Sequence, residues 1–218
     1  ITDIFIVTSF QEPELNLSQV NMFLVNSEHL KVNVSLIITK CDLVSKEKRD
    51  FFYNKFLSWG YKPWLLSMDE EKGFNKLIDE LKTKKCSILI GPSGVGKTTI
   101  LNQIIPNINR ATSSVSRKIK RGKNTTRNIE LFYLTKGSYI VDTPGFNIQN
   151  ISFDTHNIQY LFPELTDQLR DGEINCKFRN CLHITEPGCQ INRDFERYKF
   201  YKELIMSVKN HHSRSQGD

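Results

Sequence analysis

Short unbroken apolar runs alternate along this chain with segments whose apolar positions recur every three or four residues. The runs fall at 4–9 (IFIVTS), 34–40 (VSLIITK), 62–67 (KPWLLS), 86–90 (CSILI), 130–134 (ELFYL) and 138–142 (SYIVD). Runs without polar alternation predict strands buried on both faces, as in a parallel sheet. Between them, Leu17, Val20 and Leu24 share one helical face. So do Phe52, Phe56 and Trp59, ahead of the stop signal Gly60, and Leu77, Ile78 and Leu81. This alternation predicts an α/β fold: a mostly parallel six-stranded sheet with helices on both faces and right-handed crossovers. The exception is 130–142, where only TKG separates two runs, which predicts an antiparallel hairpin at a sheet edge.

Beyond about residue 150 no further strand pattern follows. A Cys/His-rich segment leads into a predicted helix over 193–210, with Tyr198, Tyr201, Ile205 and Val208 on one side. Two domains are therefore expected, 1–155 and a small helical 156–218, ending in a frayed polar tail, HHSRSQGD.

Four of the strand ends carry candidate chemistry. GPSGVGKT (91–98) follows CSILI and opens a helix, the context a phosphate-binding loop requires. Gly91, Gly94 and Gly96 let backbone N–H groups converge on phosphate oxygens, and Ser93 and Val95 complete the loop. Lys97 is expected on the β- and γ-phosphates and Thr98 on Mg²⁺, with Thr99 next in the helix. In VDTPG (141–145), Asp142 would hold Mg²⁺ and the Gly145 N–H would bond the γ-phosphate. In TKCD (39–42) and the following Leu43, the Asp42 carboxylate would accept from N1–H and the exocyclic amine of guanine. Adenine lacks that donor pair, so discrimination of roughly 10⁴ is attainable. The Lys40 stem would cover the base plane, next to Thr39. Ser67 and the Met68 N–H, in LLSMD (65–69), would contact the base oxygen and brace Asp42. Ligands bind at strand C-termini in open α/β sheets, so these loops can share one pocket. The base-reading loop precedes the phosphate loop, which implies a circularly permuted chain; domain termini often lie close enough for that.

Charge adds a candidate partner. The chain of 218 residues has a net charge of +6, and its basic residues concentrate from Arg110 to Arg127, where seven basic residues meet no acidic one. Such a stretch is either a solvated loop or a segment that meets RNA or nucleotide phosphate. No apolar run approaches the roughly 20 residues of a membrane span, and the opening ITDIFIVTSF does not read as a signal peptide.

The five cysteines argue against a disulfide framework. Cys176, Cys181, His183 and Cys189 have the spacing C-x₄-C-x-H-x₅-C, a full tetrahedral set for one structural Zn²⁺. Few apolar anchors surround them, so metal binding is expected to supply much of that domain's folding energy. Lys177, Phe178 and Arg179 lie between the ligands, where Phe178 would either touch RNA or pack.

The order TKCD, SMD, GPSGVGKT, RGKNTTRNIELF, VDTPGF, CKFRNCLHITEPGC, with EPELNL near the start, resembles the circularly permuted GTPases of the RsgA/EngC (YjeQ) type over nearly the whole chain. The resemblance implies GTP hydrolysis coupled to late maturation of the small ribosomal subunit, with that subunit and its rRNA as partners. It also implies GTP/GDP, Mg²⁺ and Zn²⁺ as ligands and a bacterial cytoplasmic or, second, an organellar setting. A monomer away from membranes is expected. The family usually carries an OB-fold before the GTPase domain; this chain opens at the GTPase domain, so the OB-fold is expected to be absent from it. Family loops often read R-H-T-T where this one reads KNTT, placing Asn124 where a His is proposed to help catalysis. Thr125 or Thr126 would close over Mg²⁺ when the γ-phosphate is present, so Lys97, Asn124, Thr125 and Gly145 form the candidate catalytic set. Phe146 stands where many GTPases place a water-orienting Gln, which predicts slow intrinsic turnover completed by a partner. The alternatives are a nucleotide-gated RNA-binding module with little turnover, and a GTPase of another ribonucleoprotein assembly.

Overall fold

A computed structural model describes residues 1–67, 71–105, 130–142, 153–170 and 175–215. The chain divides into two compact units, Ile1–Leu57 with Tyr61–Ile148, and Ser58–Gly60 with Gln149–Asp218.

The first unit is a six-stranded sheet flanked by helices. Its strands are β1 (Asp3–Ser9), β2 (Asn33–Thr39), β3 (Trp64–Leu65), β4 (Cys86–Ile90), β5 (Glu130–Thr135) and β6 (Ser138–Asp142). They lie in the order β3-β2-β1-β4-β6-β5. All neighbours are parallel except β5 and β6, whose antiparallel hairpin leaves β5 at the edge. The apolar runs explain this: every residue of β1 is buried, as central parallel strands require. Successive side chains face opposite ways, so Phe5 and Val7 join Ile37, Leu89 and Ile140 in one core cluster, while Ile4, Ile6, Leu36 and Ile38 are buried at the alternate positions.

The helices are α1 (Leu17–His29), α2 (Lys46–Ser58), α3 (Glu71–Thr83) and α4 (Lys97–Ile104). Helix α1 starts where it does because the Asn16 side chain accepts from the Gln19 N–H at 3.0 Å. It packs against β1 and β2. Phe74, Leu77 and Leu81 of α3 and Ile100 and Leu101 of α4 belong to the core cluster.

Some strand boundaries differ from the sequence expectation. The strand expected over 62–67 is only Trp64–Leu65, because it is an edge strand paired with β2 alone and Pro63 has no N–H to donate. The pairing direction nonetheless carries on through Leu66, whose N–H donates to Ile38 O at 2.8 Å. The hairpin turn is Lys136–Gly137, since Thr135 pairs with Ser138 inside the sheet.

In the second unit, a 3₁₀ turn (Ile158–Leu161) leads into α5 (Pro163–Arg170), and α6 (Tyr198–Ser215) closes the chain. The expected helix over 193–210 starts later because the Asn192 side chain accepts from the Asp194 N–H at 2.8 Å and holds a turn there. It also continues into the segment expected to fray. The sequence pattern did not single out α5; Pro163 at its first position and buried Leu165 are its signals. This unit has more core than its composition suggested. Phe153, Ile158, Phe162, Leu182, Tyr201 and Ile205 are buried, as is Trp59. The Arg197 guanidinium lies 4.5 Å from the Phe162 ring and 5.3 Å from the Trp59 ring. It donates to Glu164 Oε2 at 3.2 Å, and burial raises the Glu164 pKa despite that partner. Among the described residues no helix is long and apolar enough to cross a membrane.

Candidate nucleotide site and metal centre

The glycine loop is shaped by the strand beside it. Gly91 has φ of 147°, and a Cβ there would sit 2.0 Å from Val7 O, so only glycine fits against β1. Gly94 and Gly96 also have positive φ. Val95 is fully buried in the core cluster and anchors the loop from below, while Ser93 and Thr98 are exposed and Thr99 is half-buried. The loop ends in the first turn of α4, whose N–H groups lack intrahelical partners and, with the positive dipole end, suit an anion. The Lys97 ammonium folds back over the loop, donating to Gly91 O at 2.8 Å and Pro92 O at 2.5 Å.

The base-reading loop lies against this cradle. Thr39 ends β2, two strands from β4. Its hydroxyl lies 2.7 Å from Val95 O and 3.1 Å from Thr8 O, so one proton serves two carbonyl acceptors. Lys40 takes a left-handed conformation, φ 56°, and its ammonium donates to Glu12 O. Asp42 and Leu43 lie exposed in a 3₁₀ turn, Cys41–Leu43. Ser67 is buried and donates to Asp42 Oδ1 at 3.1 Å. The Cys41 N–H donates to Leu66 O at 3.1 Å, tying the turn to the end of β3. A cavity of about 80 Å³ opens beside these groups, between Thr39, Lys40 and Leu66 on one side and Phe74, Thr99 and Ile100 on the other.

Thr39, Lys40, Asp42 and Ser67 are thus gathered with Gly91–Thr99 on one edge of the sheet. Asp142 ends β6, the strand next to β4, at the same edge. Met68, Asn124, Thr125, Thr126, Gly145, Phe146 and the basic stretch Arg110–Arg127 lie outside the described residues.

Two features here escaped sequence reasoning. The Glu12–Pro13 segment receives the Lys40 ammonium and lies beside Gly94. Phe74 lines the cavity; it lies three residues before Leu77 on the same helical face, which was its signal.

In the second unit, one ligand atom from each of Cys176, Cys181, His183 and Cys189 lies within 4.8 Å of the others. His183 Nδ1 is 3.6 Å from Cys176 Sγ and 3.5 Å from Cys189 Sγ, and those two sulfurs are 3.9 Å apart. Tetrahedral Zn²⁺, with Zn–S of about 2.3 Å and Zn–N of about 2.0–2.1 Å, has edges of about 3.5–3.8 Å. The donor set therefore fits a zinc ion.

The surroundings orient the ligands. His183 Nε2 donates to Gln159 Oε1 at 2.6 Å, which leaves the Nδ1 lone pair facing the sulfurs. Burial holds His183 below its ordinary pKa, so the ring is neutral and able to coordinate. Burial pushes the Cys181 thiol up to about 12, so a cation must displace its proton. Burial also acts on Cys189, but the Ile191 N–H and Arg193 outweigh it and hold that thiol low. The Glu186 carboxylate accepts from the N–H groups of Leu182, Ile184 and Thr185 and fixes the turn. The Tyr198 and Tyr201 hydroxyls donate to His183 O and Leu182 O. Gln159, far from the cysteines in sequence, gave no signal. Phe178 is 42% exposed.

With this geometry in view, the comparisons with known proteins are specific. The RsgA GTPase family model matches residues 1–152. A relative from Prochlorococcus marinus (strain NATL1A), named small ribosomal subunit biogenesis GTPase RsgA, is 43% identical over 210 residues, covering 96% of this chain and 67% of the relative. A relative of the same name from Synechococcus sp. (strain CC9311) is 38% identical over 202 residues, covering 93% of this chain and 66% of its own length. The crystal structure of YjeQ from Thermotoga maritima matches with a TM-score of 0.74 at 25% identity, over 95% of this chain and 71% of that one. The structure of YloQ, described as a circularly permuted GTPase, matches with a TM-score of 0.73 at 24% identity, over 96% of this chain and 68% of that one, and shares the fold.

Proposed function

The chain belongs to the RsgA GTPase family, and from that premise we propose that it hydrolyses GTP on the small ribosomal subunit and couples turnover to late maturation of that particle. The observation that carries this reading is the join between Thr39 and Val95 O. It sets a carboxylate suited to guanine beside a loop suited to phosphates.

Each residue then has a distinct task. Asp42, braced by Ser67, accepts from the two donors of guanine, and the Lys40 stem covers one base face. The N–H groups of Gly91–Thr98 and the α4 terminus receive the phosphates. Lys97, whose ammonium donates to Gly91 O and Pro92 O on the same loop, would turn it to the phosphate oxygens. Thr98 and Asp142, with Thr125, would hold Mg²⁺, which would neutralise charge on the phosphates. Asn124 and Gly145 are assigned to the γ-phosphate side. In the second unit, Cys176, Cys181, His183 and Cys189 would hold one structural Zn²⁺; four protein ligands leave no place open for chemistry.

The small subunit is carried over from the names of the relatives; its rRNA and a cytoplasmic setting belong to the same proposal, and the net charge of +6 supports an anionic partner. GTP turnover is measured with and without purified small ribosomal subunits. Slow basal turnover and marked stimulation are expected. No stimulation would defeat the coupling, and stimulation by large subunits alone would move the activity to another assembly.

A further inference from the structure

Between the first two metal ligands the chain makes a tip, Lys177-Phe178-Arg179-Asn180, in which every residue is exposed. A surface phenylalanine flanked by two cations does nothing for a core. Its side chain is 42% exposed, and the Lys177 ammonium lies 5.8 Å from the ring centroid. Yet the backbone beneath is held firmly. The Lys177 N–H donates to Gly188 O at 3.1 Å, and the Cys181 N–H donates to Phe178 O at 3.2 Å, closing the turn. Gly188 has φ of 79°, and a Cβ there would come within 2.9 Å of Lys177 Cβ, so the two arms of the knuckle approach as closely as glycine allows. Cys176 and Cys181, at either end of the tip, both belong to the metal cluster.

We infer that this tip is a docking point for an unpaired RNA base, with Phe178 stacking on the base and Lys177 and Arg179 meeting the flanking phosphates. A rigid aromatic with adjacent cations matches the recognition of single-stranded nucleic acid, where every base offers a π-face. One short turn cannot read the deep, narrow major groove of an A-form helix, so the target is a loop, bulge or end. An acidic peptide would use the two cations but leave the ring without purpose. The inference rests on the small-subunit reading only for the source of the RNA.

The test uses the full chain with its metal bound and a short single-stranded RNA of mixed sequence containing 2-aminopurine, alongside the matching duplex. The wild-type protein should bind the single strand and quench the probe. Phe178→Ala should weaken binding by roughly 5- to 150-fold and abolish quenching, and Phe178→Trp should restore both. Lys177→Ala and Arg179→Ala should each flatten the dependence of log affinity on log salt by about 0.7. Unchanged affinity in Phe178→Ala, equal losses on the duplex, or binding without quenching would overturn the inference. So would loss of bound metal in Phe178→Ala, which would make the ring a structural prop. Co-sedimentation of the wild-type protein with small subunits tests the parent reading separately; its failure beside an intact RNA result would change the RNA's source and leave the tip's role standing.

Discussion

In the sheet unit, Thr39 reaches Val95 because parallel strands in register end at one edge, held there by the buried apolar residues of β1, β2 and β4. In the cysteine-bearing unit, Cys176 and Cys189 lie 3.9 Å apart on a segment with no strand or helix, organised by the Glu186 carboxylate and two tyrosine hydroxyls. The first arrangement follows from burial, which is spread over many side chains. The second concentrates its stabilisation in one cluster, so it should be far more sensitive to a single loss.

The largest effect should therefore follow metal removal. Chelation, or Cys189→Ser, should raise amide exchange strongly across 175–189 while β1, β2 and β4 stay protected, read by hydrogen-exchange mass spectrometry. Zinc binding is worth about 10–16 kcal/mol in small peptides. The buried Tyr201 and Ile205 should keep part of the second unit folded, so equal loss in both units would break the comparison.

Next comes Asp42→Asn. GTP affinity should fall toward the limit of roughly 10⁴-fold, with far less change for ATP, measured by nucleotide displacement. Bound metal should stay constant. A parallel loss of both nucleotides would mean that the carboxylate supports the loop and does not read the base.

Gly91→Ala should cost about 3 kcal/mol or more, since its Cβ would meet Val7 O at 2.0 Å in a conformation that side chains avoid. Thermal unfolding of the sheet unit reports this loss, and an unchanged Tm would refute the close packing. The smallest effect is expected for Gln159→Leu, which removes the partner of His183 Nε2. Metal affinity should weaken about 10- to 100-fold with nucleotide binding unaltered.

The same contrast decides what could be read from the sequence. The glycine loop and a mostly parallel sheet with an edge hairpin were legible because a short motif and unbroken apolar runs are local signals. The Cys/His cluster was legible for the same reason. The edge strand was overestimated because apolar Trp64–Leu66 resembles a central strand until its single neighbour is known. Glu12 and Gln159 were missed because each acts across the fold, and no spacing records that, whereas Phe74 shares the helical face of Leu77 and only its place at the cavity was hidden. Phe178 was ambiguous because an aromatic residue among ligands reads equally as anchor or tip until its exposure is seen.

Ser58–Gly60, from the middle of the chain, belong to the second unit, where Trp59 is buried and its indole N–H donates to Glu196 at 3.1 Å. No single proteolytic nick can therefore release that unit whole. A fragment ending near residue 148 would carry an uncovered indole, a patch of about 150–250 Å² that invites aggregation and recognition by chaperones. Damage to either unit would thus mark the whole polypeptide for disposal.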